Sequence, residues 1–358
     1  MRRQLLISIL LCSGVWASAQ DASTAKESRY ETRYSAGVID DATFYGSLRA
    51  PLPTVLNQVL VEPAFGIRDR NRWNLSTSLI GLTATYSDTS TQLRVRELYG
   101  GVSAGDFDFT AGRKLVLWGT GYAFSAAGVL DPPRMPTDPS DRLNVNEGRD
   151  IVKADWVHGQ QAISAAWSTS ALTPAAANLH DTTAFRYNVL MRGFDTSLIA
   201  GHDRGGDTFG ALTFTRVVGE AWEVHGEAVW REEAAALVGA KYTVSGVTCI
   251  AEFYTPPNIP IYRDPAVSPA AGRQHYGFLD VGKARLRERP GWKQWSISGE
   301  VVANLNDRSY TGVADVSRWF GNHFSSYVHL EAPRGSKTSE FGSAPYSTAT
   351  SMGIRFQL

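Results

Sequence analysis

The segment Tyr346–Leu358, with the sequence YSTATSMGIRFQL, alternates between two classes of side chain. One class is apolar, aromatic or threonine and contains Tyr346, Thr348, Thr350, Met352, Ile354, Phe356 and Leu358. Because successive side chains of a β-strand point to opposite faces, the pattern predicts a strand with one apolar face that runs to Leu358. A lipid-facing strand of a membrane barrel has this pattern, and so does an edge strand of a soluble sandwich.

The first nineteen residues favour the membrane barrel. Arg2 and Arg3 precede an apolar run from Leu5 to Trp16, which leads into Ala17-Ser18-Ala19, the small-x-small pattern of a cleavable secretory signal. We therefore expect a signal peptide at 1–19 and a mature chain from Gln20. The run is too short for a spanning helix of about 20 residues, and every later apolar stretch contains a charge, so no helical anchor is expected.

Both ends together predict the outer membrane of a Gram-negative bacterium. Phe356 and Leu358 resemble the terminal signal that the barrel-assembly machinery recognises, which makes that machinery and the outer-membrane lipids expected partners. Removal of Arg2 and Arg3 leaves 33 basic residues against 35 acidic ones, a net charge of −2. This balance gives no reason to expect nucleic acid as a partner. Cys249 is then the only cysteine, so no internal disulfide is expected.

A period of two recurs along the rest of the chain, and helical periodicity is scarce. Seventeen candidate strands follow one another from about residue 56 to the end, many of them with 10 to 15 residues, which is the length that crosses a bilayer at a tilt. Single-chain bacterial barrels have even strand numbers. We therefore predict an all-β fold, a transmembrane antiparallel β-barrel of about 16 strands (range 14–18) over 55–358. Residues 20–54 are either a periplasmic segment or the first strand.

Two long connections interrupt the short hairpin turns. They lie near 120–148 and 256–273 and are rich in Pro and Gly. Loops of this length are usually functional. We expect the segment 120–148 to fold into the lumen and narrow it.

The sequence before that segment resembles a known family. Leu98-Tyr99-Gly100-Gly101 is followed by the run 107–119, FDFTAGRKLVLWG, and then by Val129-Leu130-Asp131-Pro132-Pro133-Arg134. This is similar to outer-membrane barrels related to alginate-export-type porins, whose signature is Gly-Arg-Gln, three residues and Trp-Gly. Lys114 stands in place of the usual Gln, and Pro132-Pro133-Arg134 in place of the usual Asn-Pro-Arg turn. The resemblance implies a porin-like barrel; Trp118 can equally be a membrane-interface aromatic and Arg113 a structural lumen charge.

Charged residues on the predicted inner face are the candidates for lining a pore. From Arg113 to Asp155 there are six basic and six acidic residues, without the basic excess that a polyanion conduit needs. Such mixed charges can also be salt bridges that hold the loop. The candidate pore-lining residues are Arg113, Arg134, Arg186, Arg192, Glu223, His225, Glu227, Arg231, Glu252 and Glu300.

Enzyme signatures are weak. Gly101-Val102-Ser103-Ala104-Gly105 has the spelling of a nucleophile elbow but precedes a strand instead of a helix. His323 and Ser325 have a phospholipase-like spacing, yet their predicted face is the lumen, away from lipid. The histidines show no metal-ligand spacing, so we expect no catalytic residues, no metal and no cofactor.

These observations predict a porin-like channel for passive diffusion of small hydrophilic solutes or saccharides, with weak charge selectivity. The alternative is a plugged barrel that binds or assembles a surface polysaccharide, because loops can occlude a barrel of this size. A soluble secreted all-β protein and an outer-membrane lipase are further, weaker readings of the same residues.

Overall fold

The computed structural model describes residues 30–48, 54–69, 72–85, 89–132, 134–138, 142–143, 146–169, 181–204, 207–231, 233–256, 274–284 and 294–358. The predicted signal peptide and the predicted loop 256–273 lie outside these residues, apart from Pro256 itself. Within them the secondary structure is almost entirely β. No helix in this part of the chain is long and apolar enough to cross a membrane.

Eighteen strands are present, numbered here in chain order. They are β1 Tyr30–Gly46, β2 Val55–Asp69, β3 Trp73–Thr85, β4 Thr89–Ala104, β5 Phe107–Lys114, β6 Arg149–His158, β7 Gln161–Thr169, β8 Thr182–Met191, β9 Phe194–Asp203, β10 Thr208–Val218, β11 Trp222–Trp230, β12 Ala234–Val244, β13 Val247–Thr255, β14 Tyr276–Ala284, β15 Trp295–Asn304, β16 Ser309–Phe320, β17 Phe324–Arg334 and β18 Thr348–Gln357. A short 3₁₀ turn at Phe341–Ser343 precedes β18.

The predicted number of about 16 strands was wrong, although the fold class was right. All seventeen candidate strands are present, as β2 to β18, and Tyr30–Gly46 adds the eighteenth. The error came from reducing an odd count to the lower even number. β1 was hard to identify because Asp40 and Asp41 put two adjacent acidic residues, one on each face, into an otherwise regular alternation.

Each strand pairs antiparallel with its neighbours in sequence, and β1 closes the sheet by pairing with β18. In that last ladder Val38 lies opposite Phe356 and Thr43 lies opposite Ser351. Closure leaves no unpaired strand edge, so every strand of the barrel has a hydrogen-bonding neighbour on both sides.

The two faces of the strands divide as the sequence predicted. On β18, Met352, Ile354 and Phe356 are 40 to 50% exposed on the outside, whereas Ala349 and Ser351 are buried on the inside. On β15, Val301 is outside and Val302 is fully buried inside. The outer wall is therefore apolar and continuous, which is the surface expected of a barrel in lipid.

Exposed aromatic rings form a belt near each margin of the outer wall. One belt contains Tyr30, Trp73, Phe107, Trp222, Phe320 and Phe356, and residues at the other margin include Phe44, Trp230 and Tyr310. The first belt borders the end of the barrel with the two-residue turns, such as those between β4 and β5 and between β8 and β9. We call this the turn end.

The opposite end, called the loop end here, has four long connections. They are residues 115–148, 170–181, 256–275 and 335–347. At the turn end only the connection 285–294 is comparably long. Bacterial barrels have short periplasmic turns and longer extracellular loops, which gives the two ends an orientation.

Candidate functional site

The chain leaves the barrel wall after Lys114, the last residue of β5. β5 has only eight residues, and its Gly112 has a backbone φ of 121°. A Cβ at this position would overlap the carbonyl oxygen of Leu98 on the neighbouring strand, so a glycine is required. Residues 115–148, called the inner loop, connect β5 to β6, and their described residues run inside the barrel.

Arg113 fills the space in the wall that the departing chain leaves. Its guanidinium makes two hydrogen bonds of 3.0 Å to the carboxylate of Asp150, the residue opposite it on β6. It also donates to the carbonyl oxygen of Val95 on β4, at 3.1 Å. The side chain is only 13% exposed. The structure therefore places Arg113 as a link across the wall, with only a small part of its surface left for a solute to contact.

Glu227 of β11 holds the first turn of the inner loop. Its Oε1 accepts hydrogen bonds from the backbone N–H groups of Thr120 and Gly121, the latter at 2.8 Å. Its Oε2 accepts from Ala126 at 2.6 Å and from Ala127 at 2.7 Å. One wall carboxylate thus satisfies four backbone donors of a segment that forms no secondary structure. Such charge-assisted bonds are the strongest class of hydrogen bond in proteins.

Glu252 of β13 holds the next residues in the same way. It accepts from the backbone N–H groups of Tyr122, Ala123 and Phe124, the last two at 3.0 and 3.3 Å. The fully buried His225 lies 3.0 Å from the same carboxylate through its Nε2 atom. The structure therefore places these three predicted pore-lining residues beneath the inner loop, with Glu227 and Glu252 as its hydrogen-bond anchors and His225 against Glu252 and the Tyr122 ring.

Asp131 also accepts hydrogen bonds from backbone N–H groups, in this case from within the inner loop itself. Its carboxylate accepts from the backbone N–H of Trp118 at 2.6 Å and of Gly119 at 3.2 Å. Burial raises the pKa of the Asp131 carboxyl, and the hydrogen bond from Trp118 and the charge of Arg134 oppose that rise. Arg134 itself donates to the carbonyl oxygens of Gly121 and Tyr122. The structure therefore places Arg134 inside the loop fold.

Apolar side chains of the inner loop fill the barrel beneath these anchors. Trp118 and Leu130 pack with Ile151, Ile199 and Phe209 of the wall, and Trp118 is 3% exposed. The interpretation of Trp118 as a membrane-interface aromatic is therefore wrong. Burying a side chain of this size contributes about 1.5–3 kcal/mol, so this packing fixes the loop as firmly as the hydrogen bonds do.

A second aromatic cluster lies beside the first. Phe124 stacks on Tyr254 with ring centroids 5.0 Å apart, and it meets the edge of Phe278 at 6.3 Å. Tyr276 belongs to the same cluster and is fully buried. Residues 116–130 of the inner loop thus cover the inner wall from β6 to β15.

The inner loop then reaches a distant part of the wall. Arg142 donates to the buried carboxylate of Asp41 on β1 at 2.8 Å, and the hydroxyl of Tyr327 on β17 donates to the same oxygen at 2.7 Å. Arg355 of β18 donates to the backbone carbonyl oxygen of Arg142. Since Glu227 and Asp41 lie on β11 and β1, the loop crosses the lumen between two separate sectors of wall.

The last residues of the inner loop return to the strands from which it started. Glu147 accepts from Arg94 of β4 at 3.2 Å, and the N–H of Gly148 donates to the carbonyl oxygen of Arg96 at 2.9 Å. The described part of the loop is thus attached to the wall at its start, its middle and its end. These contacts place the described residues of the segment inside the lumen, as predicted, and its narrowing of the pore stays a prediction.

The remaining candidate residues occupy three kinds of position. Arg186 and Glu300 face the lumen and stay partly accessible, and Glu223 accepts a hydrogen bond of 2.8 Å from the hydroxyl of Tyr122. Arg231 follows the end of β11 and pairs with Asp203 at 2.9 Å. Arg192 lies in the turn between β8 and β9 with a φ of 52°, outside the lumen. The predicted strand 183–193 extends past Met191, the last residue of β8, which is why alternation assigned Arg192 to the inner face.

The structure does not assemble a catalytic site around either of the weak enzyme signatures. Ser103 lies at the end of β4 and hydrogen-bonds to Asp108 across the β4–β5 hairpin, with no helix after it. His323 is in the turn before β17 and its ring contacts Phe356, whereas Ser325 is buried on the inner face. Among the described residues, no group of three or more His, Cys, Asp or Glu side chains could hold a metal ion.

Sequence reasoning missed the second attachment of the inner loop. Asp41, Arg142 and Tyr327 meet from parts of the chain up to 286 residues apart. The alternation of β17 does place Tyr327 on the inner face, but no local pattern indicates its partner. The two acidic residues Asp40 and Asp41 were the available signal, since one of two adjacent strand residues must face inward.

Comparisons with known proteins identify similar folds. The chain matches no protein-family model and no curated protein. The resemblance to alginate-export-type barrels, based on the Gly112 to Gly119 motif, therefore receives no support. Solved structures do match over nearly the whole chain, at very low sequence identity.

Three of these structures come from Pseudomonas aeruginosa. OccK5 (OpdH) has a TM-score of 0.61 and 8% identity, over 92% of this chain and 98% of that one. The outer membrane protein OpdK has a TM-score of 0.60 and 7% identity, over 92% and 99%. OpdK with vanillate has a TM-score of 0.57 and 7% identity, over 91% and 98%. The shared feature is the fold of the whole barrel.

Proposed function

We propose that this protein is an outer-membrane channel for passive diffusion of small hydrophilic solutes or saccharides. Its apolar outer wall and two aromatic belts suit a bilayer, and the loop end then faces the outside of a Gram-negative cell. The inner loop is the selective element, because it crosses the lumen and reduces the cross-section that a solute can use. This loop is the single observation that carries the proposal.

The charged side chains that line the lumen suit a solute of mixed or weak charge. Arg186, Glu223 and Glu300 line different sectors of the lumen and remain partly accessible. Many other lumen charges are neutralised in pairs, such as Lys153 with Asp155 at 2.7 Å. Selectivity in channels follows from the charges that line the constriction, and a lumen with both signs favours neither sign strongly. Vanillate, present in one similar structure, belongs to the small solutes that a narrowed barrel would admit.

The direct test is conductance of the purified protein in a planar bilayer. We expect discrete single-channel currents for the wild type and larger ones after deletion of residues 124–145, which removes the crossing segment but leaves Thr120 to Ala123 bound to Glu227 and Glu252. A matched control deletes residues 337–339, which lie in another loop-end connection. An unchanged conductance in a folded 124–145 deletion would contradict the proposal that the inner loop sets the pore.

The plugged barrel is the second candidate, and the triple attachment of the inner loop is the observation in its favour. A barrel closed by this loop would give no current in the wild type and measurable current only in the deletion. The proposed function would then be binding of a surface polysaccharide, and that binding can be measured with the intact chain in detergent.

A further inference from the structure

The outer wall carries two cations close together at the turn end. Lys283 of β14 and Arg318 of β16 face outward. Lys283 lies opposite the exposed Ile297. Arg318 lies opposite Ser326, which in turn lies opposite the exposed Ile354. Trp295 lies on β15 between them. Arg318 is directly opposite Trp295, and Lys283 is opposite Ile297, two residues further along β15. Ser326 of β17 continues the row, directly opposite Arg318.

Aromatic rings hold the Arg318 guanidinium against the wall. Its central carbon is 5.3 Å from the Trp295 ring centroid and 4.6 Å from that of Phe320. Its Nε is buried and has no hydrogen-bond partner, and no carboxylate pairs with Arg318 or Lys283 in the described residues. On β13 to β18 no acidic residue has the outward register. Among the described residues, no acidic side chain therefore compensates this positive charge.

The surroundings match the two parts of a lipid molecule. Toward the loop end the row is bordered by the apolar side chains of Ile297, Val316 and Val328, which suit acyl chains. Toward the turn end lie Phe320 and Phe324, with ring centroids 5.4 Å apart, in the aromatic belt. Aromatic belts mark the depth of lipid head groups, where phosphates are found.

We propose that Lys283, Trp295, Arg318 and Ser326 form a binding site for the phosphate of a glycerophospholipid in the periplasmic leaflet. Two cations two strands and two residues apart, about 12 Å between their Cα atoms, fit an anionic head group such as that of phosphatidylglycerol better than a zwitterionic one. Arg and phosphate form charge-assisted hydrogen bonds, and the rings keep the guanidinium in place for them. The site rests on the proposed membrane location but is independent of conduction.

The outer wall also provides a matched control. Arg216 faces outward near the same end and lies over the Phe194 ring at 4.4 Å. Its register neighbours are Phe194 and Val224, neither of which is a cation. Loss of Arg216 therefore removes one stacked cation without removing the proposed site.

The experiment is native mass spectrometry of the full mature chain, titrated with phosphatidylglycerol and, separately, with phosphatidylcholine. We expect Arg318→Gln with Lys283→Gln to weaken phosphatidylglycerol binding by about tenfold or more, because both charged contacts with the phosphate are lost, while Arg216→Gln changes it by less than about twofold. Phosphatidylcholine should bind the wild type more weakly than phosphatidylglycerol.

Two outcomes overturn the inference. One is unchanged phosphatidylglycerol binding in the double variant, and the other is an equal loss in Arg216→Gln, which would show general attraction to anionic lipid. Conductance of the same preparations separates this result from the proposed function. A wild type that conducts but binds phosphatidylglycerol no better than phosphatidylcholine rejects only the lipid site, whereas a wild type that prefers phosphatidylglycerol but never conducts rejects only the channel.

Discussion

The carboxylate of Glu227 satisfies backbone donors of the inner loop that would otherwise need bound water. Four backbone N–H groups of the inner loop donate to its two carboxylate oxygens, and the side chain is 4% exposed. Those donors lie in a segment without helix or strand, so they have no other main-chain acceptor nearby. Buried donors without a partner cost about 1–3 kcal/mol each, which makes this carboxylate a condition for the loop conformation.

We predict that Glu227→Gln lowers the free energy of unfolding by about 1–3 kcal/mol for each donor left unsatisfied. The amide has one acceptor oxygen, and its NH2 group must face either the Thr120–Gly121 pair or the Ala126–Ala127 pair of N–H groups. Urea titration in lipid vesicles measures the change. Glu223→Gln is the control, because it keeps an acceptor for its single bond from Tyr122, and an equal loss in both variants would contradict the anchoring role.

For single residues, the sequence predicted which face of a strand each side chain lies on, but it did not predict which residues that side chain contacts. Alternation placed Glu227, Glu252 and Glu300 on the inner face, which the structure confirms. Alternation carries no information on which side chains a loop will cover, since the contact from Glu227 to Thr120 joins residues 107 apart. Two of these three glutamates hold the loop, and only Glu300 remains on the accessible part of the lumen.

The two halves of the inner loop are attached to different sectors of the wall, besides the contacts of its last residues with β4. Its first half is fixed by Glu227, Glu252 and the apolar clusters, and its second half by the contact of Arg142 with Asp41. The carboxylate of Asp41 also accepts from Tyr327 and is buried, so Arg142 supplies the charge that compensates it. A buried pair that loses one partner is strongly destabilised.

We predict that Arg142→Met releases the second half of the inner loop while the first half stays in place. Single-channel conductance should rise to a level between the wild type and the 124–145 deletion, with larger current fluctuations, because the crossing segment is then held at fewer points. Arg33→Met is the control: its side chain is 78% exposed and pairs with Glu31 on the same strand. Identical currents in Arg142→Met and the wild type would show that this attachment does not hold the pore constriction.

Strands were more predictable than the loop, for a physical reason. A lipid-facing strand needs an apolar side chain at every second position, so its pattern is local and all seventeen candidates are present. The exception, β1, has Asp40 on the outer register between Tyr34 and Phe44. One charged residue on that face was enough to hide the strand.

The whole molecule depends on the ladder between its first and last strands. β18 pairs with β1 from Thr348 to Gln357, and the N–H of Leu358 adds a bond to the carbonyl oxygen of Ala36. Without this ladder both strands would present unpaired N–H and C=O groups to lipid, where each costs several kcal/mol.

We predict that deletion of residues 356–358 impairs assembly, because it removes the partners of Gly37 and Val38 and the aromatic ring of Phe356. The measurement is the fraction of protein with boiling-dependent gel mobility in isolated outer membranes. Phe356→Tyr keeps an aromatic ring in the same register and should assemble normally. Normal assembly of the deletion would reject a requirement for these residues.

Closure by β1 and β18 also dictates the order of biogenesis. The hydroxyls of Thr43 and Ser351, 2.7 Å apart, belong to residues 308 positions apart in the chain. Translation and export deliver β1 long before β18, so the first strand must wait with one edge unpaired. Nearly all hairpins of this protein can form before β18 has been exported, but the barrel cannot close before then. We therefore expect the chain in transit to need protection of its unpaired strand edges from pairing with other chains.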